Sequence, residues 1–89
     1  LAIKTLLLKT YYELDEFDLL QSHLDAMNNY ITRKRIIGYH RTNYVNLIRY
    51  ASRLLTLNFS DRNAVEKLRS SVEREAHLLE KDWFLGHLA

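Results

Sequence analysis

The side chains in this 89-residue chain that could ligate a metal or move a proton near neutral pH are four histidines and eleven carboxylates, because cysteine is absent. What they could do depends on spacing. Glu73 and His77 stand four apart and His77 and Glu80 three apart, so one continuous helix would bring all three to one side. A carboxylate-bridged metal centre in a helical bundle takes a Glu-x-x-His pair from each of two helices, plus further inward carboxylates. Here the order is reversed and occurs once, among Arg62, Glu66, Arg69 and Glu73, whose alternating charges read as a solvated helix face. His23 borders an apolar stripe and is expected to be half-buried with one ring nitrogen hydrogen-bonded. His40 and His87 fall on other elements or turns. No metal site and no cofactor are expected.

Nucleophilic chemistry fares no better. Ser22, Ser52, Ser60, Ser70 and Ser71 sit on polar helix faces or at a cap, with no strained nucleophile turn around them. Gly38 and Gly86, the two glycines, are isolated and cannot form a phosphate-cradling loop. The reading is therefore not an enzyme. With no proline and so few glycines the chain cannot supply the turns of a β fold, which makes the expected class all-α. Apolar residues are 47% and charged residues 27%, a globular balance rather than that of a disordered tail. No apolar run approaches the roughly 20 residues needed to span a bilayer, and no signal-peptide layout is present. The expected compartment is cytoplasmic. A chain that opens at Leu1, apparently within a helix, is expected to be a cropped or cleaved piece of a longer protein.

Apolar periodicity predicts four helices. The first, about Ala2 to Leu14, carries apolar residues nearly all round. Asp15 is expected to cap the second, about Glu16 to Ile31, whose stripe is Phe17, Leu20, Leu24, Met27 and Ile31, with Leu19, Ala26 and Tyr30 as a flanking row. A basic connector leads to Gly38. The third helix, about Tyr39 to Leu57, is expected to bury Tyr44, Leu47, Ile48, Ala51, Leu54 and Leu55. Asn58-Phe59-Ser60-Asp61 then breaks the chain and caps a fourth helix, about Asp61 to His87, with the stripe Val65, Leu68, Val72, Ala76, Leu79 and Trp83. At 1.5 Å per residue the fourth helix would reach roughly 40 Å and overrun the third. Its overrunning residues Trp83, Phe84 and Leu88 should then meet Ile36 and Ile37 in the connector.

Charge is unevenly placed. Residues 1–30 hold two basic and five acidic groups, whereas residues 31–60 hold Arg33, Lys34, Arg35, Arg41, Arg49 and Arg53 and no acid. These six could form a basic strip for phosphates or another polyanion, with Tyr39 and Tyr50 available to stack on bases. Without a helix-turn-helix or zinc signature, the plainer expectations are a solvated face or a face meeting an acidic partner. Of the six tyrosines, Tyr11, Tyr12 and Tyr44 fall at core-facing positions and Tyr30, Tyr39 and Tyr50 at stripe edges, where the hydroxyl stays wet.

The segment Tyr11-Tyr12-Glu13-Leu14-Asp15-Glu16-Phe17 resembles the centre of a tetratricopeptide repeat, which reads tyrosine pair, short acidic or glycine turn, aromatic. Leu7 and Leu24 match the same pattern. Leu8, Leu20 and Met27 stand where the repeat has small residues, and Thr32 where it has proline, so the likeness is to a divergent repeat. It implies a protein–protein scaffold and no reaction. The domain is then a single helical unit, with a repeat-like hairpin at 1–31 followed by a long closing hairpin at 39–88, two antiparallel hairpins in all.

The first helix has more apolar circumference than one neighbour can cover. Leu1, Leu8 and Tyr12 are the expected bare side, to be covered by upstream repeats, another subunit or a separate protein. The resulting expectation is a protein-interaction or scaffold module, with polyanion binding through residues 33–53 as the alternative.

Overall fold

The computed structural model describes residues 2–89. The described residues are helical with connecting turns and contain no strand, so the protein is all-α, with five helices rather than four. These are α1 (Ala2–Glu13), α2 (Phe17–Arg33), α3 (Gly38–Leu55), α4 (Arg62–Arg74) and α5 (Lys81–His87). They group into two compact units, Leu1–Ile36 and Ile37–Ala89.

The first unit is the hairpin α1–α2. Its antiparallel pairing shows in the contacts: the Tyr12 and Phe17 rings lie 5.8 Å apart beside the turn, while Lys4 Nζ lies 4.8 Å from the Tyr30 ring centre at the other end. Leu20, Leu24, Met27 and Ile31 are buried, as their spacing predicts, but Phe17 at the head of the stripe is largely exposed. Asp15 does not cap α2. It adopts the left-handed conformation at φ 57°, and Glu16 precedes the helix without a side-chain cap bond. The amide of Glu16 reaches Tyr11 O and that of Asp15 reaches Tyr12 O, so Asp15 is the left-handed residue of a Schellman closure of α1. The same closure recurs where α2 ends. Ile36 N–H bonds Ile31 O and Arg35 N–H bonds Thr32 O, with Arg35 at φ 51°.

The second unit begins at Ile37, and its first helix opens at Gly38, whose φ of 70° is a conformation that glycine adopts without steric cost. α3 buries Asn46, Leu47, Tyr50, Ala51 and Leu54. Tyr44, Ile48 and Leu55 are only half-buried, so the helix is rotated from its expected setting toward Asn46 and Tyr50. Asp61 caps α4 as its position predicts, its carboxylate accepting from Ala64 N–H at 3.1 Å, and Leu68 and Val72 are buried below it.

The expected long fourth helix is not formed. α4 ends at Arg74: the Glu75 amide still bonds Ser71 O, but its backbone turns to an extended conformation, and Glu80 sits at φ 62° before α5 starts. The chain then folds back. His87, Leu88 and Ala89 line a shallow pocket together with Phe59, Arg62 and Val65 at the start of α4. The break shifts the apolar register: Leu78, Phe84 and Leu88 are buried, whereas Ala76 is exposed and Leu79 and Trp83 are half-buried. No helix overruns α3, so the expected meeting of Trp83, Phe84 and Leu88 with the connector loses its basis. Phe84 instead faces Tyr50, with ring centres 6.4 Å apart, and Ile37 remains 78% exposed.

Candidate interaction surface

An α1 that is apolar nearly all round has no phase of its own. Its contacts with α2 set one. His23 donates from Nε2 to Lys4 O at 2.7 Å and meets the Tyr11 ring edge-on at 5.6 Å, while Tyr12 lies against Phe17. These contacts turn the side bearing Lys4, Leu8, Tyr11 and Tyr12 inward, and Leu8 becomes completely buried. Tyr12 is half-buried, and burial together with the nearby Asp15 and Glu13 charges raises its phenol above the ordinary 10.0.

The expected bare side is therefore corrected. Leu8 is a core residue, Tyr12 a packing residue, and Leu1 lies outside the described residues. The bare side lies opposite. Ile3 (75% exposed) and Leu6 (59%), with the more sheltered Leu7, fall within about 100° of helical arc on α1, and Leu14 (66%) follows in the turn just past its end. That is the width of the apolar stripe by which a surface helix docks on a neighbour. On α2, Phe17 and Leu19 are also exposed. The sequence shows these leucines plainly; what it lacks is the angular reference that separates the inner from the outer set.

The basic residues do not act as one group. Arg33, Lys34 and Arg35 belong to the first unit, where Arg33 lies in the last turn of α2 near the negative helix end. Arg41, Arg49 and Arg53 belong to the second. Arg41 is exposed, but Arg49 is engaged: its guanidinium sits 3.3 Å from Glu75 Oε2 and 4.9 Å from the Tyr50 ring centre. Arg53 lies 5.6 Å from the same ring and borders an open groove with Lys67, Ser70 and Arg74. The expected strip thus loses Arg49 to an internal carboxylate.

That carboxylate organises the second unit. Glu75 accepts from Asn46 Nδ2 at Oε1 (3.1 Å) and from the Tyr50 hydroxyl at Oε2 (3.1 Å). Asn46 Nδ2 also donates to His77 O at 2.9 Å, and Arg49 adds its ion pair. Tyr50 is therefore not a wet edge tyrosine but a buried one, 3% exposed, whose hydroxyl is held. The cluster ties the end of α4 to the middle of α3. It has no open coordination geometry: among the described residues no group of three or more histidine, aspartate or glutamate side chains could hold a metal ion. The Glu73–His77–Glu80 spacing is undone by the break, and His77 instead lies near the Tyr39 ring at 6.3 Å.

Compared with known proteins, the chain matches no family model, no curated sequence and no solved structure. Among the described residues no helix is long and apolar enough to cross a membrane.

Proposed function

We propose that this chain is a protein–protein interaction or scaffold module that docks through the outer face of α1. The observation that carries the reading is the stripe Ile3, Leu6 and Leu7 on one side of α1, followed by the exposed Leu14 in the turn after it, apolar side chains that this chain leaves partly or largely in water. Burying one such side chain is worth roughly 1.5–3 kcal/mol, so a partner helix laid along the stripe gains several kcal/mol before ordering costs. The best-fitting partner is an apolar helix face, as supplied by an adjoining hairpin or another subunit.

A divergent tetratricopeptide-like hairpin fits the same reading. The first unit, 36 residues with two antiparallel helices, is close to the roughly 34 residues of one such repeat. Leu8, Leu20 and Met27, large residues at its small-residue positions, are buried here and mark the departure from the regular repeat.

The test is the double substitution Ile3→Glu/Leu6→Glu. Wild-type chain should bind the apolar-surface dye ANS and self-associate at high concentration through α1, whereas the variant should lose the dye binding and the association made through this face while keeping its helical circular dichroism. A wild-type chain that stays monomeric and dye-silent would end this reading.

A further inference from the structure

The six residues between α4 and α5 read Glu75-Ala76-His77-Leu78-Leu79-Glu80. They contain no glycine or proline, and glutamate, alanine and leucine are among the better helix formers. Nothing local stops the helix here. The break is imposed from outside, by Asn46 and Tyr50 holding Glu75, by Asn46 holding His77 O, and by Lys81 Nζ donating to Glu73 O at 3.3 Å. The hinge carries a cost as well. Glu80 at φ 62°, ψ 30° occupies the left-handed region, which a residue with a Cβ disfavours. The stripe Val65, Leu68, Val72, Ala76, Leu79 and Trp83 also keeps helical spacing straight through the break, so the chain encodes a second arrangement in which α4 and α5 are one rod.

We propose that this hinge opens into a continuous α4–α5 helix and that the occupant of the vacated site is α5 of a second copy, giving a domain-swapped dimer. A short hinge under strain is the structural situation that invites such exchange. In a lone straightened chain Phe84 and Leu88, now buried, would stand in water. In a pair, each copy's Phe84 packs against the other's Tyr50, the apolar contacts of α5 are re-made, and Glu80 returns to ordinary helical geometry. The straight form therefore populates only with a partner copy, and its abundance rises with concentration. This interface is separate from the outer face of α1.

The distance between Arg62 and His87 separates the two states. In the folded-back state these residues line one pocket, whereas a continuous helix places them roughly 37 Å apart. The chain has no native cysteine, so Arg62→Cys and His87→Cys can be spin-labelled cleanly. Labelled chain diluted into unlabelled chain isolates the intrachain distance, read separately on the monomer and dimer fractions. The long distance should appear in the dimer and be absent from the monomer.

Glu80→Gly and Glu80→Ala remove the same carboxylate but differ in what they favour. Glycine accepts the left-handed hinge and disfavours a helix interior; alanine does the reverse. The pair should differ by roughly 30-fold per hinge, and so on the order of 10³-fold in the dimerisation constant, with Glu80→Ala the stronger dimer. A short intrachain distance in every species, no dimer at any concentration, or equal dimerisation of the two variants overturns the proposal. A dimer that keeps the short distance and is lost in Ile3→Glu/Leu6→Glu would assign association to α1 alone.

Discussion

The side-chain amide of Asn46, buried midway along α3, donates to Glu75 Oε1 at 3.1 Å just past the end of α4. Its second bond, to His77 O at 2.9 Å, uses the same nitrogen, so both amide hydrogens are spent on the segment that breaks the helix. Arg49 approaches the same carboxylate from a position where its side chain is 54% exposed. The two residues should contribute very differently. Asn46→Ala removes two bonds made by a buried amide, which should cost about 1–3 kcal/mol in urea unfolding. Arg49→Ala removes a solvent-screened pair and should cost less than about 1 kcal/mol. Equal losses would mean that the ion pair holds the break as firmly as the amide and would overturn this ranking.

Two left-handed residues in the first unit give a stabilising prediction. Asp15 and Arg35 each close a Schellman motif at a position that glycine usually fills. Arg35→Gly should raise stability by about 0.5–1 kcal/mol, the relief of steric cost being partly offset by the freer unfolded chain. Asp15→Gly should gain less, since aspartate tolerates this conformation better than most residues. Thermal melts followed by circular dichroism decide it; a lower midpoint for Arg35→Gly would contradict the assigned backbone.

Much of this architecture is written in the apolar spacing. Leu20, Leu24, Met27 and Ile31 announce the inner face of α2, and Asp61 announces the start of α4 through its cap. The features that escape such reading are of two kinds. The first is a choice among equivalents: α1 has apolar residues on nearly every side, and its contacts with His23 and Phe17 of α2 select the inner one. The second is action at a distance. Residues 75–80 look like uninterrupted helix because the agent that breaks them, Asn46, lies 29 positions upstream of Glu75. The turns at Arg35 and Glu80 also escape such reading, since neither residue type marks a left-handed backbone, whereas Asp15 marks one only weakly.

The orientation of α1 can be checked by removing side chains from its two sides. Leu8 is fully buried and Leu6 is 59% exposed, though they are two positions apart on the same apolar helix. Leu8→Ala should leave a cavity and cost about 2–5 kcal/mol. Leu6→Ala in the monomeric chain should stay within about 0.5 kcal/mol of wild type, as surface substitutions do, and alanine's helix propensity is no handicap. Denaturation at a concentration below any self-association makes the comparison. A larger loss for Leu6 would reverse the inner and outer faces assigned to α1.

Alkaline pH supplies a probe of the same hairpin through Tyr12. Burial first, then the charges of Asp15 and Glu13, raise its phenol above 10.0 in the folded chain. The folded state thus holds this proton more tightly than the unfolded one, and the linked contribution to stability is complete below about pH 10. It is lost as pH climbs through the raised folded value, because the unfolded chain releases the proton first. Wild type should therefore lose stability above pH 10 more steeply than Tyr12→Phe, which has no phenol to ionise at this position. The tyrosinate absorbance of wild type minus that of Tyr12→Phe isolates the group, and its midpoint should lie above 10. A midpoint at or below 10, or parallel alkaline stability curves for the two chains, would place Tyr12 in water rather than against Phe17.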